Sequence, residues 1–150
     1  MSTLQVANIH LESTGNNRIQ YTGSNSYVIV AGGVSMLSVN TTAMSDSVGN
    51  IRDVPITAKS TTYTLTANDA GKMFSTTANV AVPASIFSNG QNISIFNNSS
   101  STITITQGSG VTMYLVGTAT TGDRTLSQRG LATVVCTAAN TFVITGGGLL

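Results

Sequence analysis

Charged residues are scarce in this chain, since lysine, arginine, aspartate and glutamate make up only 7% of its 150 residues, against roughly a quarter of an ordinary soluble domain. Six basic and five acidic residues are scattered along the chain, with no run of like charge. Without a basic stripe to hold a phosphate backbone, we expect no nucleic-acid binding. A β protein with so few charges has little protection against edge-to-edge pairing, so we expect permanent assembly with copies of itself.

Long apolar runs and cysteine are also nearly missing. No stretch approaches the roughly 20 apolar residues that span a bilayer, and the segment after Met1 lacks the basic start and apolar core of a signal peptide. We therefore expect synthesis in a cytoplasm and no membrane insertion. A single cysteine, Cys136, excludes an internal disulfide, and its setting LATVVCTA predicts a buried strand position.

Groups able to carry out chemistry are few. His10 is the single histidine and hence the one imidazole base available to a catalytic triad, and no nucleophile motif accompanies it. Three copies of His10 on a trimer axis would form a candidate metal site. Glycoside hydrolysis would need two flanking carboxylates, and no spacing favours any pair among the acids. We expect no catalytic residues and no cofactor. The five acids are Glu12, Asp46, Asp53, Asp69 and Asp123.

What the chain does contain is alternation. From Gln91 to Val116 it reads QNISIFNNSSSTITITQGSGVTMYLV. A period of two puts the isoleucines on one face of a pleated strand, with serine and threonine on the other. Runs of β-branched residues, serine, threonine and asparagine disfavour a helix. The same vocabulary fills most of the chain, so the sequence predicts an all-β fold.

The pattern divides the chain into three parts. Residues 1–45 are predicted to form a small β-meander with strands at 4–11, 18–22, 27–31 and 34–40. Residues 46–59 are expected to be a connector that contains a proline and several charges. Residues 60–150 carry short strands without intervening helices, which predicts a β-sandwich or jelly-roll-like domain. In it, the loop 117–130 is expected to cross between sheets, and the glycines at 146–148 to form a turn or a flexible tail.

The N-terminal meander is too thin to stand alone. Four short strands cannot bury enough apolar surface to offset the backbone entropy of about 1–2 kcal/mol per residue. We therefore expect this segment to serve attachment or oligomerisation. The predicted interface residues are Ile9, Leu11, Ile19, Tyr21, Tyr27 and Ile29.

Two arginines flank TLSQ in the predicted crossing loop. Arg124 and Arg129 are expected at the surface, where the planar guanidinium suits a subunit or receptor contact. Passive binding of a sugar is a further hypothesis. The chain is rich in hydroxyl and amide groups but has no tryptophan, and the loop 118–128 is the candidate region for such a contact.

Two sets of segments in the sequence resemble phage proteins. STLQVANIHLESTGNNRIQYTGSNSYVIVAGG is similar to the opening of structural proteins from tailed phages that infect marine cyanobacteria. YTLTANDAGKMF, VPASIFSNGQNISIFNNSSSTITITQGSGVTMYL, TTGDRTLSQRGLATVVC and ANTFVITGGGL resemble a β module at the ends of tail-fibre and related virion proteins. The resemblance implies a virion component built from several identical chains, typically three, and brings no catalytic residues.

Function is therefore expected to be structural. The leading hypothesis is a non-enzymatic phage virion protein, a homotrimeric short tail fibre or fibre-like surface protein. Two alternatives stay open: a decoration or cement protein on the phage capsid, and a glycan-binding module for host recognition. The expected partners are copies of the same chain, other tail or capsid proteins, and a host surface glycan. The expected location is the virion.

Overall fold

β-Strands dominate the computed structural model, which describes residues 8–10, 15–23, 25–47, 49–51 and 53–150. Over these residues the helical content is one 3-10 turn, Ala67–Asp69. The predicted all-β class is confirmed. The chain divides into two compact units, Met1–Pro55 and Ile56–Leu150. This boundary falls within the predicted connector, whose last four residues, Ile56–Lys59, form a strand of the second unit.

The first unit contains one antiparallel sheet in which each strand pairs with the next along the chain. A two-residue turn at Gly32 and Gly33 joins its third and fourth strands, and both glycines have positive φ, as a type I′ hairpin requires. The amide of Gly32 donates to Asn17 Oδ1 at 2.7 Å, which ties this turn to an earlier loop. The strands are β1 (Asn8–His10), β2 (Arg18–Gly23), β3 (Ser26–Ala31), β4 (Val34–Val39) and β5 (Met44–Ser45).

The second unit contains nine strands around one core. They are β6 (Ile56–Lys59), β7 (Tyr63–Thr64), β8 (Met73–Thr76), β9 (Val80–Val82), β10 (Asn92–Asn97), β11 (Ile103–Gln107), β12 (Thr112–Leu115), β13 (Arg124–Ala138) and β14 (Thr141–Leu149).

The chain winds round in this unit so that each winding, which we call a turn of the stack, places its strands parallel to those of the winding before it. Strands β6, β8 and β10 form one layer, and β7, β9 and β11 form the other. Ile56 pairs with Met73, and Tyr63 pairs with Val80, so both layers advance by the same seventeen positions in the first turn. The two-layer arrangement agrees with the predicted sandwich-like class. Parallel pairing was not predicted, because a half-buried strand alternates in the same way whether its neighbour is parallel or antiparallel.

A long strand, β13, closes the stack. Its start pairs antiparallel with β11, its later part pairs antiparallel with β10, and β14 runs beside it. The prediction of a crossing loop over 117–130 is therefore wrong from Arg124 onward. A register shift between Leu126 and Leu131 bends the strand. The bend contains the polar residues and glycine of SQRG, so the sequence shows no alternation of apolar and polar residues there.

The glycines at 146–148 lie inside β14 and form neither a turn nor a flexible tail. At Gly146 the neighbouring strand comes so close that a Cβ would fall on the main-chain oxygen of Leu131 and 2.6 Å from the Cα of Ala132. Glycine is therefore needed here for a close approach of two backbones.

The core of the second unit is formed by the inward rows of both layers. Ile93, Ile95, Ile103 and Ile105 are all buried, as the alternation predicted. Each such side chain contributes about 1.5–3 kcal/mol of stability. Cys136 is also buried in a strand, as predicted.

Candidate functional site

One face of the N-terminal sheet is apolar across its strands, and we call it the apolar face. Ile19 pairs with Ile29, and Tyr21 pairs with Tyr27, so these four side chains lie on the same side. The same face continues into β4 and β5, because Leu37 pairs with Ile29 and Val39 pairs with both Tyr27 and Met44. The described side chains of this face are Ile19, Tyr21, Tyr27, Ile29, Leu37, Val39 and Met44.

The apolar face is open to solvent. Ile19 is 38% exposed, Ile29 is 42% exposed and Tyr27 is 54% exposed. The rings of Tyr21 and Tyr27 pack with centroids 5.3 Å apart. None of its described side chains carries a charge. Single exposed apolar residues are ordinary on protein surfaces, whereas a contiguous set is typical of an interaction site.

The opposite face of the same sheet mixes polar and apolar residues. It presents Gln20, Val28 and Ser38, which are paired in register, and Val30, which pairs with Arg18 and is 5% exposed. Arg18 lies on this side too, where its Nε donates to Gln20 Oε1 at 3.0 Å and its Nη1 donates to Gly15 O at 2.7 Å. The described charge of the sheet thus lies on this side, opposite the apolar face.

Four of the six predicted interface residues, Ile19, Tyr21, Tyr27 and Ile29, lie together on the apolar face. Ile9 pairs with Ile19 in the main-chain register. Leu11 lies outside the described residues, as does the side chain of His10, so the hypothesis of a metal site on a trimer axis stays a prediction. Contact between these residues and another chain also stays a prediction.

Two of the described acids, Asp46 and Asp69, accept hydrogen bonds within turns. Asp69 is buried and accepts hydrogen bonds from Tyr63 Oη at 3.1 Å, Thr66 N at 2.7 Å and Thr66 Oγ1 at 2.9 Å. Asp46 Oδ1 accepts from the amide of Gly49. Across the described ranges no group of three or more histidine, cysteine, aspartate or glutamate residues is placed to hold a metal ion. Glu12 lies outside those ranges.

Asp123 immediately precedes β13, and its side chain connects this position to the end of β11. Its Oδ1 accepts from the amide of Gln107 at 2.8 Å.

No helix in the described parts of the chain has the length and apolar character that crossing a bilayer requires.

Arg124 is buried, and this corrects its predicted surface position. It begins β13, is 8% exposed, and donates from Nη1 to the main-chain oxygen of Asp123 and from Nη2 to that of Thr120, both at 2.8 Å. The sequence placed it at the surface because arginine is seldom buried. Its guanidinium holds the preceding loop in place. Its predicted role in a subunit or receptor contact stays a prediction.

Arg129 is exposed and lies in the bend of β13. Its backbone is left-handed, with φ 62°, a conformation that costs a non-glycine residue about 1–3 kcal/mol. Its Nη1 donates to Asn98 Oδ1 at 2.5 Å. Its predicted role in a subunit or receptor contact stays a prediction.

Asn98 belongs to a groove of about 540 Å³ on the second unit, which we call the polar groove. Three corners of the stacked turns form it, each connecting a strand of one layer to a strand of the other. None of the lining residues is aromatic or acidic. They are Thr62, Thr77, Ala78, Asn79, Asn98, Ser99, Ser100, Ser101, Thr102 and Ile103.

Sequence reasoning missed the polar groove and favoured the loop 118–128 instead. The groove residues come from three separate parts of the chain, and only parallel stacking brings them together. The available signal was the recurrence of small polar residues, TT at 61–62, TTAN at 76–79 and NNSSST at 97–102. Their spacing has meaning only when the register of the turns is known.

Comparison with known proteins found no family model, no curated protein and no solved structure that matches the chain.

Proposed function

We propose that this chain is a non-enzymatic structural protein of a phage virion, in which the N-terminal sheet joins identical copies. The apolar face is the observation that carries the proposal. A single sheet with one uncovered apolar side gains stability when a second layer covers it, because each buried Å² of apolar surface contributes about 25 cal/mol.

A second copy of the same chain suits this face. The described side chains of this face are apolar apart from the tyrosine hydroxyls, so packing them against a copy buries no charge without a partner. Three such sheets can turn their apolar faces towards a common axis, so that each copy covers part of the faces of the other two. The low charge of the whole chain supports the same conclusion, because charged side chains are what normally opposes association between sheets, and this chain has few of them.

The virion and the trimeric state are supported by the resemblance of both units to phage structural proteins. The role without catalysis is supported by the acids, because Asp69 and Asp123 already accept hydrogen bonds from the chain itself. We favour a short tail fibre or fibre-like surface protein. The alternative within the same proposal is a decoration protein on the capsid.

Sedimentation of the full chain at micromolar concentration tests the assembly. We expect a mass near three times 15.4 kDa. Ile29→Lys should lower the mass to that of a single chain, because the charge would be placed in the covered face. Val28→Lys is the matched control, since it changes the adjacent residue on the opposite side of the same strand. A wild-type chain that is monomeric under these conditions refutes the assembly.

Particles that lack the protein distinguish the two locations. Loss of a fibre should leave heads robust and reduce adsorption to the host. Loss of a decoration should leave adsorption intact and make heads fragile to heat or low salt. Purified particles that do not contain the chain at all, as judged by mass spectrometry, refute a virion role.

A further inference from the structure

We propose that the polar groove binds a short anionic oligosaccharide, and that Arg129 holds its carboxylate or sulfate group. This inference concerns the second unit alone and does not rest on the assembly through the apolar face. It replaces the loop 118–128 as the site of the glycan-binding hypothesis.

The groove is an open polar depression of about 540 Å³ whose corners are held in place. Hydrogen bonds between neighbouring turns fix its corners, since Thr77 N donates to Lys59 O at 2.9 Å and Asn98 N donates to Thr76 O at 2.8 Å. A ligand would therefore meet groups that are already in position, which lowers the entropy cost of binding.

The groove also offers hydrogen-bonding groups that the protein does not use. Asn79 Oδ1 accepts from Thr104 N, and Asn98 Oδ1 accepts from Arg129, but neither side-chain NH₂ has a partner among the described residues. The same holds for the hydroxyls of Thr62, Thr77 and Thr102. Amide and hydroxyl groups match the alternating donors and acceptors of sugar hydroxyls.

The charge beside the groove is positive. The ten lining residues include no acid and no base, and Arg129 reaches Asn98 from the bend of β13. A guanidinium has five N–H donors in a planar fork, of which one is used here. The remaining donors suit a carboxylate or sulfate, and such charge-assisted pairs are roughly twice as strong as neutral hydrogen bonds.

A sugar bound in this groove would lack the contact with aromatic rings that many ligand sites provide. Aromatic rings provide much of the apolar contact that a protein site makes with a ligand, and no ring lines this groove. The affinity must then come from hydrogen bonds to the corners and from the charge pair. A neutral sugar would have only the first of these.

Calorimetric titration of the full chain at low salt tests the proposal with three hexasaccharides. A hyaluronan hexamer supplies glucuronate, a chondroitin sulfate hexamer adds sulfate, and an N-acetylglucosamine hexamer is neutral. We expect at least one acidic hexamer to bind at least tenfold more tightly than the neutral one, and its affinity to fall as salt is added. If neither acidic hexamer binds more tightly than the neutral one, the proposal is refuted.

Three variants locate the site. Arg129→Gln should weaken binding of the acidic sugar by about ten- to a hundredfold. Asn98→Asp keeps an acceptor for Arg129 and adds a negative charge, so it should reduce acidic binding at least tenfold. Ser109→Ala is the control, because Ser109 is exposed and does not line the groove. An affinity that Asn98→Asp leaves unchanged, in a variant that melts like the wild type, would overturn the assignment.

Discussion

Asn97 and Leu126 are joined by a buried hydrogen bond, in which the side-chain Nδ2 of Asn97 donates to the main-chain oxygen of Leu126 at 2.9 Å. The same NH₂ group also lies 2.8 Å from Ser101 O and 3.0 Å from Ser127 O. On its other side, Oδ1 accepts from Ser99 N and Ser99 Oγ. One fully buried side chain therefore holds a corner of the stacked turns against the strand that closes them.

Asn97→Ala should destabilise the second unit by about 3 kcal/mol. The change removes the donor to the buried main-chain oxygen of Leu126 and the partly buried bonds to Ser99, Ser101 and Ser127. A buried group left without its partner costs about 1–3 kcal/mol, and the lost partly buried bonds add to that cost. Urea unfolding followed by circular dichroism measures the effect. The adjacent Asn98→Ala is the control and should change stability by less than about 0.5 kcal/mol, because Asn98 is exposed. Equal effects of the two substitutions would contradict the role of Asn97.

Gly146→Ala should cost about 3 kcal/mol, because the new methyl group would collide with the main chain of Leu131 and Ala132. Gly147→Ala is a matched control in the same strand, where an added Cβ meets nothing within 4 Å. We expect the second change to be neutral or slightly stabilising, since it reduces the entropy of the unfolded chain. Thermal unfolding of both variants checks the difference, and equal melting temperatures would show that the two strands can separate without cost.

Arg124→Met should loosen the loop before β13 while it changes global stability by only about 1 kcal/mol. Methionine keeps much of the packing and removes a buried charge, which often costs little, but it cannot donate to Thr120 O or Asp123 O. Hydrogen exchange measures the loop directly, and we expect faster exchange at the amides of residues 118–122. Arg129→Met should leave that exchange unchanged. Unaltered loop exchange in Arg124→Met would show that the guanidinium does not hold the loop.

The fold class and the buried isoleucines could be predicted because they depend on local alternation. Ile93 and Ile105 carry a period of two in their own strands, and the environment of either needs no knowledge of its neighbours. Ile19 and Tyr21 could be placed on one face for the same reason, since they alternate with Gln20 and Thr22. The run SYVIVA around Tyr27 and Ile29 does not alternate, and only its pairing with the preceding strand shows which of its residues share that face.

The parallel stack, the path of β13 and the polar groove could not be predicted, because they depend on register between distant segments. Nothing local at Thr62 indicates that it lies near Asn98. Arg124 was misplaced for a related reason. The guanidinium binds main-chain oxygens, and every residue type has a main-chain oxygen. The sequence therefore contains no residue pattern that indicates the buried position of Arg124.

The constant advance between Ile56 and Met73, and between Tyr63 and Val80, has a consequence for how such a module can change in length. A tandem duplication of one such stretch would add a whole rung to the ladder and leave the closing hairpin of β13 and β14 as it is. The next turn advances by 21 positions from Met73 to Ser94 and by 25 positions from Val80 to Ile105, so its corners already accommodate extra residues. Length variants of this domain should therefore differ by complete rungs or by residues added within the corners.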